Sequence, residues 1–245
     1  MSDGMTGPLK RWWRRQQFEP DLAGLLVNPF YFARRGLRDG LGEFLPGLTG
    51  EVLDVGCGRK PYQHLTRAAR YVGVDIDTPE TRVLGIVDVY FDGRTLPFAD
   101  ASFDALLCSQ VLEHVFTPVE FLAELHRVLR PGGQLLLATP LAWDEHSQPY
   151  DFARYSSFGL RDLVQRAGFE IVAQRKTCAD FRVIVQLASG FLYKVTATRH
   201  RLLNQTVQLL LLAPVNLAGG LLAWLLPRNE DLYLDNIVLA RKSSP

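Results

Sequence analysis

Net charge is the first thing that this sequence lacks. Its 245 residues contain 27 Lys and Arg against 26 Asp and Glu, which leaves a net charge of +1 at pH 7. Without a strong overall charge, the chain has no global field to attract nucleic acid or acidic partners. We therefore expect no nucleic-acid partner, and any electrostatic recognition must be local.

Cysteine is also scarce, and its three copies, Cys57, Cys108 and Cys178, lie far apart. They form no CxxC pair and no histidine stands at metal-ligand spacing from them, so we expect no metal site. Few, dispersed cysteines favour a reduced compartment. The first 20 residues lack an apolar core followed by a small-residue cleavage site, so no secretory signal is predicted. These features together predict a cytoplasmic protein.

Repeats and low-complexity linkers are absent, and the 47% of hydrophobic residues excludes a disordered, collagen-like or coiled-coil chain. Seven short apolar segments predict strands: VLDVG at 52, YVGVD at 71, VDVYF at 87, FDALLC at 103, QLLLAT at 134, EIVAQ at 170 and NIVLA at 236. Helical patterns separate several of them, which is typical of a mostly parallel sheet covered on both faces.

Start and stop signals predict three helices. The clearest is capped by Thr117, has Pro118 in its first position, and closes a capping box through Glu120. It carries one apolar stripe and ends before the Pro-Gly-Gly sequence at 131–133. Two further helices are predicted from Ser156 or Ser157 to Ala167, closed by Gly168, and from Asn28-Pro29 onward.

A glycine turn follows the first predicted strand, in VLDVGCGRK at 52–60. Gly56 and Gly58 lack Cβ atoms, so the backbone can bend sharply and approach a ligand closely at the edge of the sheet. The alternative is a tight turn without a ligand. Asp75 ends the second strand 21 residues after Asp54, the interval at which an acid reaches ribose hydroxyls in such sheets. We therefore expect a nucleoside ligand.

The lack of phosphate-binding motifs in the sequence narrows the identity of this ligand. A dinucleotide fingerprint needs a third glycine for close helix packing, but Arg59-Lys60-Pro61 follows Gly58. A GxxxxGK[ST] phosphate loop is also missing from the sequence. The ligand is thus expected to carry ribose and adenine without pyrophosphate, which argues against a nicotinamide-dependent oxidoreductase.

Four ordered segments resemble the class I S-adenosylmethionine-dependent methyltransferases, in particular the methyltransferase type 11 group. They are VLDVGCG, YVGVDID, FDGRTLPFADASFDALLCSQVLEHV and LRPGGQLLLATP, within about residues 50–140. The resemblance implies a Rossmann-like, seven-stranded, mostly parallel sheet with helices on both faces and an antiparallel last strand. It departs from the commonest pattern at Lys60, where many members have a third glycine.

The resemblance also implies S-adenosylmethionine as cofactor and assigns residues to it. These are Asp54, Gly56, Cys57 and Gly58 against the methionine part, Asp75 on the ribose hydroxyls, Ile76 on the adenine face, Asp92 before Gly93 on the adenine amino group, and Ser109 and Gln110 bordering the methionine. Two of them have a plainer alternative. Asp92 can instead cap the turn before Leu96, and Cys57 is better explained as a small packing residue than as a nucleophile.

Methyl transfer to a hydroxyl or a C–H group would also need a base. His114, after the fourth strand, and His146, after the fifth, are the candidates for base or orienter, since both lie toward the expected cofactor edge. His114 belongs to the LEHV sequence of the resembled family, and the alternative for it is an anchoring role. The sequence pattern places His64 and His126 on helical surfaces, and we assign them no catalytic role.

A dense polar group follows His146 and resembles the acceptor-side loop of the family. We expect four of its residues to shape a substrate pocket: Tyr150, Asp151, Arg154 and Tyr155. The alternative is a solvated loop that these side chains cross-link internally.

One late segment, residues 202–226, carries no charge over about the length of a membrane span. A strand follows it that should rejoin the sheet, so a single crossing is not favoured. Asn204, Gln205, Gln208 and Asn216, with Pro214 and Gly219-Gly220, predict a broken hairpin instead. We weigh a cover for the sheet, a homodimer contact, an apolar acceptor pocket and a dip into one leaflet.

Basic and aromatic residues near this segment favour contact with a membrane surface. They are Arg199, His200, Arg201, Trp224 and Arg228, together with the stretch Lys10-Arg11-Trp12-Trp13-Arg14-Arg15. A peripheral location at the inner face of a membrane is the resulting hypothesis.

The resulting domain prediction has a basic, aromatic and helical extension at 1–48 and a methyltransferase domain at 49–245. The latter includes the acceptor-side loop at 141–156 and the apolar insertion at 187–230. The predicted function is methyl transfer from S-adenosylmethionine to a small-molecule or lipid-like acceptor. The alternative is a sensor or scaffold that binds the cofactor without chemistry.

Overall fold

The computed structural model describes residues 7–243, apart from the side chains at 9, 10, 14 and 201. Its strands are β1 (Thr49–Val55), β2 (Arg67–Ile76), β3 (Val89–Phe91), β4 (Phe103–Ser109), β5 (Leu129–Pro140), β6 (Phe169–Lys176) and β7 (Asp235–Lys242). Its α-helices are α1 (Pro8–Phe18), α2 (Gly24–Val27), α3 (Tyr31–Gly42), α4 (Pro79–Leu84), α5 (Pro118–Val128), α6 (Ser157–Arg166), α7 (Arg182–Thr196), α8 (Arg201–Val207) and α9 (Ala213–Leu225).

All seven strands join one sheet in the order β3-β2-β1-β4-β5-β7-β6. Strands β1 to β5 pair in parallel, whereas β7 runs antiparallel to both β5 and β6. The predicted fold, with its antiparallel last strand, is confirmed. Because the carboxyl ends of parallel strands share one edge, the segments that follow β1, β2, β3 and β4 meet there.

Burial of both sheet faces explains why these strands read as continuous apolar runs rather than alternating ones. In β1 and β4, Leu53, Val55 and Leu106 are fully buried. The predicted stripe of α5 packs into the same core, with Leu122 and Leu125 also fully buried. The apolar periodicity of the sequence therefore predicted the core correctly.

Helix starts were predicted with mixed success. Helix α5 begins at Pro118, but Thr117 makes no side-chain cap bond, so the predicted capping box with Glu120 was wrong. The Thr117 backbone, at φ −116° and ψ 72°, lies outside the extended region that a capping residue normally adopts. Helix α6 is capped as predicted, since Ser156 Oγ accepts the Gly159 N–H at 3.2 Å.

Helix α3 begins at Tyr31 rather than at Asn28-Pro29. The Asn28 side chain accepts the N–H of Phe30 at 2.8 Å and so forms a turn ahead of the helix.

The chain forms two compact units, each built from separated segments. Within the described residues, the sheet unit comprises 40–141, 145–176 and 235–243, and the helical unit comprises 7–39, 142–144 and 177–234. This division differs from the predicted one. The N-terminal helices belong with the late insertion, which starts at 177 rather than 187, because buried polar side chains of the insertion bond to carbonyls of residues 25–29.

The apolar segment is one helical run of 24 residues, from Leu202 to Leu225. Its mean hydropathy reaches 1.7 in an 18-residue window, so the run is long and apolar enough to cross a membrane. The expected break at Pro214 was wrong. A π-helical turn, Gln208–Leu212, lies just before this proline. Its wider hydrogen-bonding pattern accommodates the proline ring and the missing N–H donor, so the helix continues.

Gly219 within the same run also has a packing role. A Cβ there would lie 2.3 Å from Val185 Cγ1, so the glycine lets α9 approach α7 closely. The Gly-Gly pair was read as a break because local preference was weighed without this tertiary contact.

Candidate functional site

The glycine turn after β1 is held against the end of β2. The N–H groups of Gly56 and Cys57 both donate to the Val74 carbonyl, at 2.9 and 3.1 Å. Gly56 has φ +70°, and a Cβ on it would lie 2.3 Å from Val111 Cγ2. This position therefore requires glycine for two reasons. At Gly58, with φ +48°, a Cβ would meet no atom of the described residues within 4 Å, so open space lies beside this part of the turn.

Lys60, where the sequence departs from the family pattern, adopts the conformation that a glycine would favour, at φ +50°. Its ammonium group pairs with Asp88 Oδ2 at 2.5 Å, and Asp88 also accepts the Gly73 N–H. The stem of Lys60 lies over Gly73, where an added Cβ would be 2.3 Å from Lys60 Cε. These contacts hold the turn in place without a third glycine.

Asp75 lies at the end of β2 and is buried. Its two carboxylate oxygens accept the N–H groups of Gly58, at 2.8 Å, and of Ile76, at 2.9 Å. The acid and the glycine turn therefore form one hydrogen-bonded unit. Each carboxylate oxygen can accept more than one bond, so Asp75 retains capacity for hydroxyl groups.

Asp54, at the end of β1, is buried beneath this unit and accepts a 2.7 Å hydrogen bond from the Tyr71 hydroxyl. Burial raises the pKa of Asp54 to about 7, and the nearby Asp75 carboxylate adds to the rise. Cys57 is also buried, and burial raises the pKa of its thiol to about 12. A thiol with so high a pKa is a packing residue and not a nucleophile.

Asp92 follows β3, and its Oδ1 accepts the N–H groups of Arg94 and Thr95. It thus caps the following turn, the alternative noted above, and these bonds lower its pKa. Gly93, at φ +82°, lies beside Ile76, since an added Cβ would be 3.6 Å from Ile76 Cγ2. Ile76 is 45% exposed, so an apolar surface and an acid meet at this end of the edge.

Ser109 and Gln110 end β4. The Ser109 hydroxyl is buried and meets no hydrogen-bond partner within the described part of the chain. Gln110, at φ +59°, donates from its side chain to Asp235 Oδ1 at 3.2 Å. An unsatisfied hydroxyl beside an open glycine turn is consistent with a polar ligand at this edge.

The two candidate histidines lie face to edge, with ring centroids 4.7 Å apart. His114 Nδ1 lies 2.6 Å from the Tyr150 carbonyl oxygen, and His146 Nδ1 lies 3.2 Å from Asp151 Oδ2. Both Nε2 atoms approach Oε1 of Glu113, at 3.8 Å for His114 and 4.0 Å for His146. Burial lowers the pKa of His114, which favours its neutral form.

Glu113, which sequence reasoning did not assign to the site, is the centre of this group. Its side chain is fully buried, and burial raises its pKa to about 8. Its carbonyl accepts the N–H groups of Phe152 and Ala153, so it also anchors the acceptor-side loop. In the sequence, the one feature that could have assigned Glu113 to the site was its position beside His114 in LEHV.

Most of the predicted substrate residues bind one another or the core. Asp151 accepts two bonds from the Arg154 guanidinium and one from the His146 N–H, which holds the pKa of its carboxyl far below the usual range. Tyr155 packs against the core of the sheet unit, and burial raises its pKa. Tyr150 is 64% exposed and has its ring available to a ligand.

Comparison with known proteins agrees with this geometry. Residues 53–137 match the family model described as a methyltransferase domain. This segment is therefore similar to the methyltransferase domain family. The match runs from within β1 to within β5 and therefore includes the glycine turn, Asp75, Asp92 and the LEHV segment.

Three similar proteins illustrate the relationship. A Mycolicibacterium smegmatis protein named "Probable S-adenosylmethionine-dependent methyltransferase" is 33% identical over 136 residues, 49% of this chain and 52% of the relative. The [4+2]-cyclase SpnF has a similar structure, with a TM-score of 0.57, 21% identity, and coverage of 96% of this chain and 97% of that one. Haemonchus contortus phosphoethanolamine N-methyltransferase 2 with S-adenosyl-L-methionine has a TM-score of 0.55 at 16% identity, covering 98% and 61%.

The chain spans about half the length of the curated relatives it matches. The likeness to the two solved structures shows a shared fold. The open space beside Gly58 and the unsatisfied Ser109 hydroxyl fit the family's cofactor, S-adenosylmethionine.

The helical unit has a cavity of its own, with a volume of about 970 Å³. Aromatic, amide and basic side chains line it, among them Trp13, Phe30, Arg34, Tyr193, Arg199 and Gln208. A cavity of this size and composition is suited to an amphipathic small molecule.

Proposed function

We propose that the protein transfers a methyl group from S-adenosylmethionine to a small, lipophilic acceptor at a membrane surface. The observation that carries the methyl-transfer proposal is the hydrogen-bonded unit of the glycine turn and Asp75, with open space beside Gly58. This unit combines a backbone without side chains at Gly56 and Gly58 with an acid placed to bind ribose hydroxyls, and it lacks the third glycine of a pyrophosphate-binding turn.

In this proposal the sulfonium supplies an already activated methyl group, and the protein positions the partners. Asp75 would hold the ribose hydroxyls, Ile76 would lie against the adenine, and Ser109 would bond the methionine part. Positioning of this kind accounts for up to about 7–11 kcal/mol of a barrier at its ideal limit. His114 or His146 would accept a proton from the acceptor or orient it, since they follow β4 and β5, which end at the same edge of the sheet.

The test uses S-adenosylmethionine labelled in its methyl group, with lipid and small-molecule extracts as acceptor sources. The proposal expects label in an extract component and matched formation of S-adenosylhomocysteine. The His114→Ala/His146→Ala variant should lose at least tenfold in turnover with cofactor affinity retained. Saturable cofactor binding without any turnover would favour the alternative, a sensor or scaffold.

The membrane part of the proposal is supported by an inverted polarity in the helical unit. Asn216 is fully buried, accepts the Ser189 hydroxyl and donates to the carbonyls of Leu25 and Asn28. Gln208 is also buried and donates to the Leu26 carbonyl. Asn216 and Gln208 of this apolar run therefore face inward, which is the arrangement expected where the outer face contacts lipid.

The outward face of the same run is apolar. Leu202, Leu210 and Trp224 are between 76% and 79% exposed. Helix α7 adds a second exposed apolar stripe at helical spacing: Ile184, Leu187, Phe191 and Val195. Two neighbouring exposed apolar faces exceed the scattered leucines of an ordinary soluble surface.

Charge and topology favour the surface of a bilayer over a span. Arg199 and Arg228 are exposed at the two ends of the run, and Arg11 and Arg15 are exposed on α1. Lys10, Arg14 and Arg201, named above, lie outside the described side chains. Strand β7, after the run, pairs with β5, before it, so one crossing would separate paired strands.

Vesicle flotation tests this part with neutral and anionic lipids. Wild-type protein should float with vesicles, and more strongly with anionic ones at low salt. A Leu210→Ser/Leu221→Ser variant should bind at least about 30-fold more weakly, because each leucine loses about 1–2 kcal/mol of apolar burial. Phe158→Ser, which removes an 81% exposed side chain of the sheet unit, is the matched control and should bind normally. Protein that never floats would refute this part, and dimerisation through the face would be the remaining explanation.

A further inference from the structure

Three ligand-bearing side chains of the sheet unit converge on one point. Glu113, His114 and His146 each offer one ligand atom, and these three atoms lie within 4.8 Å of one another. Both Glu113 carboxylate oxygens are buried and have no hydrogen-bond partner within the described residues. We propose that Glu113, His114 and His146 bind one divalent transition-metal ion.

The donor set decides the class of ion. Two imidazole nitrogens and one carboxylate oxygen suit zinc, iron, cobalt or manganese, whereas magnesium and calcium prefer oxygen ligands throughout. Three protein ligands leave at least one position for an external oxygen, as in catalytic rather than structural zinc sites.

Spacing within the group is close to that of a bound site. Bonds of about 2.0–2.1 Å to a tetrahedral ion place neighbouring ligand atoms roughly 3.4 Å apart. The Glu113 oxygen lies 3.8 Å from one histidine nitrogen and 4.0 Å from the other. These two distances each need to shorten by about half an ångström for a shared ion, and the two histidine nitrogens must also approach from within 4.8 Å.

Outer contacts of the two rings match those of metal-binding histidines. Such a histidine usually donates its second ring N–H to a backbone carbonyl or a carboxylate. A carbonyl can only accept, so the 2.6 Å contact with Tyr150 puts the proton of His114 on Nδ1 and leaves a lone pair on Nε2. His146 Nδ1 faces Asp151, whose carboxylate is itself fixed by Arg154. Both rings are therefore held with Nε2 toward Glu113.

Energetics also point to an occupant. A buried carboxylate without partners is unfavourable unless it is protonated or paired with a cation. Both oxygens of Glu113 are buried and have no hydrogen-bond partner among the described residues. A bound cation would provide the missing partner and would bring the histidine nitrogens and the acid into one coordination shell.

Sequence reasoning expected no metal site because it searched for cysteine and histidine spacing. Glu113 and His114 are adjacent in a 3-10 turn, and His146 follows 32 residues later. Only the folding of the acceptor-side loop against the Glu113 carbonyl brings the third ligand into place.

Calorimetric titration of the untagged, chelator-treated full chain with Zn²⁺, repeated with Co²⁺ and visible absorption, tests the site. We expect one equivalent to bind, and Glu113→Gln and His146→Ala to weaken binding at least about 100-fold. His200→Ala, which removes an exposed histidine elsewhere, should leave affinity unchanged. The three cysteines are buried and should not compete for the added ion.

Asp151→Asn provides a second variant in case Glu113→Gln fails to fold by circular dichroism. It alters the group that positions His146 without removing a ligand and should weaken binding by about 10–100-fold. Failure of wild-type protein to bind either ion, or equal binding by the ligand variants, would overturn the proposal. The readout is metal affinity, so the result stands apart from methyl transfer.

Discussion

A pair of glycine variants tests how closely the turn after β1 is built. Both Gly56 and Gly58 have positive φ, but only at Gly56 would a Cβ collide with a neighbour, at 2.3 Å from Val111 Cγ2. Gly58→Ala should therefore lose only the conformational term, about 1–2 kcal/mol. Gly56→Ala should lose the same term and a further ~1–3 kcal/mol for overpacking.

Thermal unfolding measures the difference. For a domain of this size, 1 kcal/mol shifts Tm by about 2–4 °C, so Gly56→Ala should melt roughly 2–12 °C below Gly58→Ala. The double variant Gly56→Ala/Val111→Ala removes the colliding methyl group. A mutant cycle should then show a favourable coupling of about 1–3 kcal/mol between the two substitutions.

The affinity for the cofactor should not follow the stability of the two variants. The Cβ of Gly58→Ala points into open space where S-adenosylmethionine is expected, so this milder variant should still bind the cofactor poorly. Equal melting temperatures for the two single variants, or no coupling with Val111, would refute the reasoning.

Three further predictions follow from buried polar groups. The pKa of Asp54 is about 7 in the folded protein against an ordinary 3.8, so the folded state holds an extra proton between these values and loses stability as pH rises through them. Asp54→Asn should remove a decline of the order of 4 kcal/mol between pH 4 and 7 in urea unfolding, and an unchanged slope would contradict this. Asn216→Leu should lower the free energy of unfolding by about 2–4 kcal/mol, because two carbonyls and a serine hydroxyl lose their hydrogen-bond partner. Leu217→Ala, on the exposed side of the same helix, should change the free energy of unfolding little. Equal effects of the two substitutions would count against the inverted polarity. Asp75→Ala should abolish measurable S-adenosylmethionine binding in calorimetry, while Asp77→Ala, an exposed acid two residues later, should bind normally.

The fold was predictable because each strand carries its own signal. Runs such as VLDVG and QLLLAT are apolar throughout, since both faces of the sheet are covered, and glycine or proline marks their ends. The antiparallel β7 came from family resemblance and not from its residues, because NIVLA reads alike in either direction of pairing.

Features that depend on tertiary contact were not predictable. Pro214 and Gly219 were read as helix breakers, whereas a π-helical turn accommodates the first and packing on Val185 explains the second. The capping box at Thr117 failed because the backbone there takes a different conformation. In each case the local conformational preference of the residue did not decide the backbone, because the surrounding structure imposed another conformation.

The candidate site shows the same division. Asp75 and the glycine turn were found from spacing along consecutive strands, which the sheet edge brings together as expected. The role of Glu113 as the centre of a histidine pair was missed, because its two partners come from different loops. Lys60 was a departure from the pattern, and its pairing with Asp88 could be seen only once β2 and β3 were placed side by side.

Calorimetry with S-adenosylmethionine and with a nicotinamide dinucleotide, each titrated into the same purified protein, tests the central claim most directly. We predict saturable, one-to-one binding of S-adenosylmethionine and no heat from the dinucleotide. Clear binding of the dinucleotide with none of S-adenosylmethionine would contradict the account.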